Sequence, residues 1–238
     1  MKKQLLTVLF ALMLSTSAYA GSIGAGVQLG IGFVEADGSE TEVGTGTKTL
    51  SDGEVTNGSA SHDLVPIVSG YLEYNSDYME KGEANSLTIG ASLVPFGADV
   101  SDKTKSRTDA STGAAATSEA DTGDRNANAE LENLQVIYTE IPVSGGYYAR
   151  VGMAQVDVIT TESFTSTQGT APSSYGNKTV DGYNFGFGYK GNTSAGLHYK
   201  ISYQYTDFND FNITSGSGNI VSADIDMQEL LFSAGFKF

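Results

Sequence analysis

The last ten residues, Glu229-Leu-Leu-Phe-Ser-Ala-Gly-Phe-Lys-Phe238, alternate between apolar side chains and polar or small ones. The apolar positions are Leu230, Phe232, Ala234, Phe236 and Phe238, with Leu231 the one exception to the alternation. Because successive side chains of a β-strand point to opposite faces, the pattern predicts a strand with one apolar face. Taken alone, it fits both the terminal strand of a soluble sheet and the last strand of a membrane barrel.

The first twenty residues have the pattern of a secretory signal peptide. Two lysines follow the initial methionine, residues 5–14 form an apolar run, and Ala18 and Ala20 form the small-x-small motif of a cleavage site. The apolar run is too short for a membrane-spanning helix, which needs about 20 residues. We therefore predict a cleaved signal over residues 1–20.

Composition limits the chemistry. The chain has no cysteine, so disulfides, iron–sulfur clusters and thiolate catalysis are excluded. Loss of the two signal lysines takes the formal net charge from −15 to −17. So acidic a chain lacks the clustered Lys and Arg that bind phosphate backbones, and we expect no nucleic-acid partner. A solvated, repulsive surface is the simplest interpretation of the acidic charge.

Eight segments of the mature chain alternate as strands do. They are predicted at about 22–35, 64–75, 86–96, 131–141, 147–157, 181–190, 197–206 and 225–238. In the weakest of them, 131–141, the better phase turns Leu134, Val136 and Tyr138 outward. Polar segments at 36–63, 97–130, 158–180 and 207–224 are predicted as long loops, and they alternate with short connections. Long loops at one end and short turns at the other are typical of a transmembrane β-barrel with antiparallel strands.

One side of the first predicted strand is made almost entirely of glycine. Gly24, Gly26, Gly30 and Gly32 alternate there with apolar residues such as Leu29. A sandwich strand would carry bulky polar residues at these positions, whereas glycine fits a narrow interior that admits large side chains from other strands. We predict an all-β fold: an eight-stranded antiparallel up-and-down barrel with four long extracellular loops and short periplasmic turns.

Aromatic residues gather at the predicted strand ends. Near the short turns stand Tyr74, Tyr147, Tyr189, Tyr199, Phe236 and Phe238, and near the opposite ends stand Phe33, Tyr183 and Tyr205. Aromatic rings concentrate at the headgroup level of membranes, whereas the core of a soluble sandwich would scatter them along the strands. The aromatic residues therefore favour the membrane barrel and are predicted to form its two girdles.

Signal peptide, eight alternating strands and the terminal Phe236-Lys237-Phe238 together resemble the small outer-membrane barrels of Gram-negative bacteria, the OmpA-, OmpX-, opacity- and OmpW-type proteins. The resemblance covers the mature chain as architecture, and its specific motif is the terminal one. It implies a location in the outer membrane and an assembly signal, read by the barrel assembly machinery, at Leu230, Phe232, Phe236 and Phe238. The absence of tryptophan departs from the family, with tyrosine in its place.

Inward-facing positions carry polar and charged residues. The predicted polar network of the lumen consists of Glu73, Arg150, Lys200, Glu229, His198 and Gln204. Eight strands enclose an interior that side chains just fill, so we expect these charges to neutralise one another rather than to gate an ion path. A wide pore is not expected, while leakage of small ions and passage of a small hydrophobic solute stay open.

Catalytic and metal sites have little support in the sequence. Ser61-His62-Asp63 holds the residue types of a hydrolase triad, but adjacent residues cannot converge on one another. Asp207, Asn209 and Asp210 offer oxygen ligands without the glycine and glutamate spacing of a calcium loop. We therefore expect no enzyme activity, no cofactor and no resident metal, although some outer-membrane barrels are proteases or acyltransferases.

Two functions stay open at this point. The preferred one is a structural and surface-interaction role, in which long acidic loops meet lipopolysaccharide or an extracellular ligand. The alternative is a narrow channel for small or hydrophobic solutes, as in OmpW-type proteins. We expect a monomer whose other partners are the lipid of the outer membrane and the barrel assembly machinery.

Overall fold

The computed structural model describes residues 21–41, 55–76, 87–101, 105–109, 123–166, 175–215 and 220–238. The predicted signal peptide, with Ala18 and Ala20, lies outside them. The strands are β1 (Gly21–Thr41), β2 (Val55–Ser76), β3 (Thr88–Val94), β4 (Ala98–Asp99), β5 (Lys105–Asp109), β6 (Gly123–Ser144), β7 (Tyr147–Ser166), β8 (Lys178–Asn192), β9 (Leu197–Phe208), β10 (Phe211–Thr214) and β11 (Ile220–Lys237). Within the described residues, no helix is long and apolar enough to span a membrane.

The strands pair antiparallel around a closed ring. Its order is β1–β2–β3–β6–β7–β8–β9–β11, and β11 pairs back onto β1 from Gly24–Lys237 to Thr41–Ile220. β4 and β5 follow β3 along the edge of β6, while β10 follows β9 along β11. The predicted all-β fold, an antiparallel ring of eight strands, is confirmed.

Both chain ends of the ring and its described short turns lie at one end of the barrel, which we call the periplasmic end. Between β6 and β7 the turn is made by Gly145 and Gly146, with φ of 58° and 92°. These are left-handed values that glycine adopts without strain. Between β8 and β9, Gly196 has a φ of 81°. The predicted connection between β2 and β3 falls on residues 77–86, outside the described residues.

Most strands continue well beyond the predicted bounds. The β1–β2 ladder reaches Thr41–Val55, and the β6–β7 ladder reaches Gly123–Ser166. Much of the segments predicted as loops 36–63, 97–130, 158–180 and 207–224 is therefore strand. The sequence pattern missed these ends because the alternation of apolar residues stops where the strands leave the lipid, whereas backbone pairing continues in water.

The phase predicted for 131–141 is wrong. Leu134, Val136 and Tyr138 are buried inside the barrel rather than turned outward. The ladder with β7 shifts between Glu132 and Gln135, and Asn133 has a φ of 56°. An extra residue at such a bulge reverses which side chains face inward above and below it. Leu134, Val136 and Tyr138 all lie on one side of this bulge, so the bulge does not account for the wrong phase. The more apolar face of the segment was assigned to the lipid, whereas it packs in an apolar core inside the barrel.

The interior of the barrel has two layers. Toward the periplasmic end it is polar and charged, as predicted. Toward the extracellular end it is an apolar core, which the polar inward residues named from the sequence did not reveal. The core residues that are buried include Val34, Val65, Ile67, Val100, Leu131, Leu134, Val136, Ala154, Val156, Val158, Val180, Phe208, Phe211, Ile213, Ile225, Met227 and Leu231. Apolar residues also cover the outside of the barrel, where Val27, Leu29, Phe187 and Phe232 are exposed. We call this outer apolar surface the apolar belt.

Glycines on the inner face of the barrel make room for tyrosines. The Tyr71 hydroxyl lies where a side chain on Gly26 or Gly235 would stand, and the Tyr138 ring does the same at Gly90. An interior of eight strands is narrow, so large rings fit only opposite residues without a Cβ. The glycine face of β1 thus admits a ring from β2, in line with the prediction from the sequence.

Candidate functional site

Four charged side chains meet in the periplasmic half of the lumen, and we call them the lumen network: Glu73, Glu140, Lys190 and Lys200. Lys200 donates hydrogen bonds to Glu73 and to Glu140, the latter at 2.9 Å, and Lys190 lies 3.2 Å from the other oxygen of Glu140. All four are at most 2 % exposed. The network joins β2, β6, β8 and β9 across the lumen.

Aromatic rings surround the lumen network. The Tyr138 hydroxyl donates a 2.6 Å hydrogen bond to Glu73. The guanidinium carbon of Arg150 lies 3.4 Å from the centre of the Tyr138 ring, and Lys200 Nζ lies 4.8 Å from that of Tyr71. Cations over ring faces are held by the ring quadrupole, the more so where water is excluded. The rings therefore stabilise the buried cations in addition to the carboxylates of Glu73 and Glu140.

The structure brings together only part of the predicted network. Glu73 and Lys200 are in direct contact, whereas Arg150 donates to Asn184 at 3.0 Å. Gln204 accepts from the same Asn184 at 3.4 Å. His198 lies apart, with its Nδ1 2.9 Å from Asn192 Oδ1. Glu229 is buried beside Gln204, its partner in the ladder of β9 and β11.

Two members of the lumen network were missed from the sequence. Lys190 and Glu140 fall within the predicted strands 181–190 and 131–141, but neither was among the charges predicted for the lumen. Glu140 is paired directly with Arg150 in the β6–β7 ladder, and directly opposed residues share one face of a sheet. Counting back from the turn at Gly145 and Gly146 would have placed Glu140 outside, because the ladder shifts by one residue between Pro142 and Ser144.

The predicted girdle and assembly residues lie on the outer surface of the barrel. Tyr147, Tyr183 and Tyr199 are exposed, while Phe33, Tyr74, Tyr189 and Tyr205 are partly exposed. The rings of Tyr147 and Tyr189 lie edge to face, 5.3 Å apart. The outward residues of the terminal strand, Leu230, Phe232, Phe236 and Phe238, are all exposed. Backbone hydrogen bonds of 2.8 and 3.2 Å join Phe238 to Ile23 and so extend the β1–β11 pairing to the last residue.

The ladder between β2 and β3 stops part of the way up the wall. It has six residue pairs, from Asn75–Thr88 to Gly70–Leu93. The other edge of β2 pairs with β1 up to Val55. Among the described residues, no ladder pair joins β2 to β3, β4 or β5 above Gly70. We call the interruption between residues 63–69 and residues 94–98 the wall gap.

The wall gap lies within the apolar belt of the barrel. Val68, at its edge, is paired with Leu29, which is paired with Phe232 in turn. On the two sides of the gap, Leu64 is 62 % and Phe96 64 % exposed. Directly behind it, Val65 and Ile67 are buried in the apolar core. The gap therefore faces apolar surface on both its outer and its inner side.

Above the wall gap, a histidine joins the two sides. His62 Nδ1 lies 2.7 Å from the backbone carbonyl oxygen of Asp99 in β4. A carbonyl only accepts hydrogen bonds, so Nδ1 carries the proton and donates it. Ser61 and Asp63, its neighbours in the sequence, are exposed on the outer face. The three residue types of a hydrolase triad are therefore not brought together.

Carboxylates crowd the outer surface above the apolar belt. Asp207, Asp224 and Asp226 have carboxylate oxygens within 4.8 Å of one another. Partial burial and the neighbouring carboxylates, with Asp210 first among them, raise the pKa of Asp224 above its ordinary value. Asp207, one of the oxygen ligands named from the sequence, is thus close to Asp224 and Asp226 of β11 rather than grouped only with its neighbours in the sequence. Like charges this close repel one another.

The structure was compared with known proteins. No protein-family model and no curated protein matches the chain. Among solved structures, the outer membrane protease OmpT from Escherichia coli is similar, with a TM-score of 0.50, 7% identity, and coverage of 94% of this chain and 100% of that one. OprG from Pseudomonas aeruginosa is 14% identical, with a TM-score of 0.43 and coverage of 92% and 97%. Ail, the attachment invasion locus protein of Yersinia pestis, is also 14% identical, with a TM-score of 0.34 and coverage of 92% and 99%.

OmpT shares the fold and is a protease, so the fold itself does not exclude catalysis. At such low identities, likeness speaks to the fold and not to activity. The closed ring of eight strands, its exposed apolar belt and its charged lumen agree with that likeness. The chain therefore has the fold and the apolar outer surface of a small β-barrel of the bacterial outer membrane.

Proposed function

We propose that the barrel is a lateral route by which small apolar molecules pass from the cell surface into the hydrocarbon layer of the outer membrane. This is the second of the two functions predicted from the sequence, narrowed to one path. The single observation that carries it is the wall gap, an interruption of the β2–β3 ladder that lies between the apolar core and the apolar belt. Once inside the core, an apolar solute that moves through the gap would stay in contact with apolar surface along its whole path.

The lumen network supports a lateral path over an axial one. Glu73, Glu140, Lys190 and Lys200 are buried and joined by hydrogen bonds at the periplasmic end. An apolar solute passing between them would separate buried ion pairs, which costs several kcal/mol. The route therefore ends in the membrane and not in the periplasm.

Two prolines reduce the cost of leaving strand edges unpaired in lipid. Pro66 lies on the β2 side of the wall gap and Pro95 on the other side. Hydrocarbon cannot satisfy a free backbone N–H, which costs several kcal/mol per group, but proline has no N–H to leave free. A gap flanked by prolines is therefore more tolerable in the wall than one flanked by other residues.

The route is tested by closing the wall gap with an engineered disulfide. The chain has no cysteine, so Val68→Cys with Pro95→Cys introduces one defined bond across the gap. Intact cells producing the protein receive N-phenyl-1-naphthylamine, an apolar dye that fluoresces in hydrocarbon. We expect dye entry above that of cells lacking the protein, a drop of at least fivefold on oxidation, and recovery on reduction.

The matched control keeps Val68→Cys and places its partner on the fully paired edge of β2. Leu29 is the ladder partner of Val68 on β1, so oxidation of Leu29→Cys with Val68→Cys joins strands that are already joined. Dye entry should then be unchanged. The lateral route would be ruled out if dye entry were equal with and without the protein. It would also be ruled out if oxidation of the Val68→Cys and Pro95→Cys pair left dye entry unchanged.

We propose, as a second function, that the extracellular surface binds cationic ligands. The observation that favours it is the pairing of like charges across neighbouring strands. Asp37 stands directly opposite Asp224, and Asp226 stands opposite Asp207. Like charges directly opposed across a ladder destabilise it, and a bound cation would offset this cost. The predicted association with lipopolysaccharide, which is anionic, would need a divalent cation to bridge it to these carboxylates. The predicted association with the assembly machinery is a separate proposal that concerns the terminal strand.

Binding of poly-L-lysine to the purified protein in lipid vesicles tests the second function. Replacing Asp207, Asp224 and Asp226 by Asn should weaken binding at least tenfold, and salt should weaken binding to the unaltered protein. The matched control is Glu130→Gln with Glu132→Gln, which removes carboxylates on β6. If the two sets of substitutions weaken binding equally, the carboxylates of β9 and β11 are not a specific site.

A further inference from the structure

We propose that His62 is a latch that limits the width of the wall gap and so sets how bulky an apolar molecule can pass. The inference rests on the proposed lateral route and adds to it a residue that determines size selection. It is carried by the position of the histidine, by the way its partner is anchored, and by the interrupted ladder beneath it.

His62 stands at the upper limit of the gap. Its Nδ1 donates to the carbonyl of Asp99 at 2.7 Å. In the ladder with β1, the shift between Gly32 and Val34 brings His62 opposite Val34, a buried residue of the apolar core. The hydrogen bond therefore joins β2 to β4 at the height of the core and not far above it.

The acceptor of this bond is fixed to the main body of the barrel. Asp99 pairs with Glu130 of β6, and its carboxylate accepts a 3.2 Å hydrogen bond from Asn128. The next residue, Val100, donates its backbone N–H to Ala129 at 2.7 Å. Because β4 is held on β6, the His62 hydrogen bond ties β2 to the opposite wall of the gap rather than to a free loop.

The two limits of the wall gap differ in strength. Its lower limit is the Gly70–Leu93 pair, the last of a continuous ladder. At its upper limit stands one hydrogen bond, which the His62 side chain donates to the Asp99 carbonyl. Widening the gap from below would break successive backbone hydrogen bonds, whereas widening it from above breaks that one bond first. His62 is therefore the position at which a single substitution changes the gap with the least effect on the fold.

Two substitutions separate the hydrogen bond from the bulk of the side chain. His62→Leu fills similar space and cannot donate. His62→Asn carries an amide N–H close to the position of Nδ1 and so keeps the donor. Both are combined with Val65→Cys, a near-isosteric change at a buried residue directly behind the gap.

The first measurement does not depend on transport. In lipid vesicles, membrane-permeant N-ethylmaleimide labels the cysteine at position 65 only when the gap widens. We expect labelling at least threefold faster with His62→Leu than with His62 present, and an unchanged rate with His62→Asn. Equal rates for the Leu and His proteins would overturn the latch.

The second measurement compares entry of N-phenyl-1-naphthylamine with that of the bulkier apolar dye Nile red into intact cells. His62→Leu should raise the entry of Nile red relative to the smaller dye at least threefold, and His62→Asn should leave the ratio unchanged. If neither dye enters through the unaltered protein, the lateral route fails while the labelling rates still decide the latch. If both dyes enter but the ratio of their entry rates is unchanged by His62→Leu, the latch is wrong while the lateral route stands.

Discussion

The two edges of β2 are built in opposite ways. Toward β1, it pairs from Ser76 to Val55 with one shift of register. Toward β3, it pairs only from Asn75 to Gly70. The first edge is held along its length by backbone hydrogen bonds, and β1 is held in turn by β11. The second is held below by its six-pair ladder, with the lumen network behind it, and above by the His62 hydrogen bond to Asp99.

This difference shows that closure of a barrel and continuity of its wall are separate properties. Closure requires that the first and last strands pair, as β1 and β11 do. A wall can still be interrupted inside the belt if side chains take over the role of the ladder. In this barrel Lys190 donates a hydrogen bond to Thr88 of β3, which donates to Asn75 of β2, so the buried charges brace the short ladder at the height where it exists. The apolar upper part has no such support from the network.

The largest effect is expected from breaking the lumen network, which supports the weak edge from inside. Glu140→Ala leaves Lys190 and Lys200 without a shared carboxylate in a buried site. Removing one partner of a buried ion pair typically costs about 3–5 kcal/mol. We expect the free energy of unfolding in lipid vesicles to fall by about this amount, measured by the urea dependence of the folded band on unboiled gels.

Glu35→Ala is the matched control, because Glu35 is exposed above the apolar belt. Its effect should stay within about 0.5 kcal/mol, as is usual for surface positions. If Glu140→Ala proves as mild as Glu35→Ala, the buried charges do not stabilise the lower part of the β2–β3 seam.

A smaller effect on the free energy of unfolding is expected from replacing a glycine by alanine. Its sign should differ between Gly26, in the β1–β11 pairing, and Gly70, at the end of the β2–β3 ladder. A Cβ on Gly26 would meet the Ala234 carbonyl and the Tyr71 hydroxyl, whereas a Cβ on Gly70 would meet nothing within 4 Å. Gly26→Ala should therefore destabilise the β1–β11 seam by about 1–3 kcal/mol. Gly70→Ala should stabilise by about 0.4–1 kcal/mol, because alanine reduces the freedom of the unfolded chain.

Urea titration of both alanine proteins measures the difference directly. Equal destabilisation by the two substitutions would mean that the outward position at Gly70 is as crowded as the inward position at Gly26.

The smallest effect concerns the bulge that sets the phase of β6. Asn133 adopts a φ of 56°, a left-handed value that asparagine tolerates better than other residues with a side chain. Asn133→Ala should cost roughly 1 kcal/mol more than Asn133→Gly, since glycine has no Cβ to strain. If Ala and Gly unfold at the same urea concentration, the bulge does not depend on this conformation.

The sequence could predict what depends on neighbours along the chain. Alternation in 225–238 and 197–206 shows which side chains face lipid, because a strand has a period of two wherever it lies. The glycine face of β1 indicated a narrow interior, and the alternation of long and short connections indicated eight strands. In 131–141 the more apolar face was expected to meet lipid, and that prediction failed because the interior of the barrel at this height is itself apolar.

By itself, then, the sequence determined a closed barrel with an apolar outside and charges within, because those features follow from composition and period. Only the tertiary structure decided that Glu140 meets both Lys190 and Lys200, that the upper lumen is apolar, and that β2 separates from its neighbour above Gly70. Each of these depends on which strands lie side by side and in which register. Register is fixed by the bulges, turns and buried charges of the whole ring acting together, and no single segment carries that information.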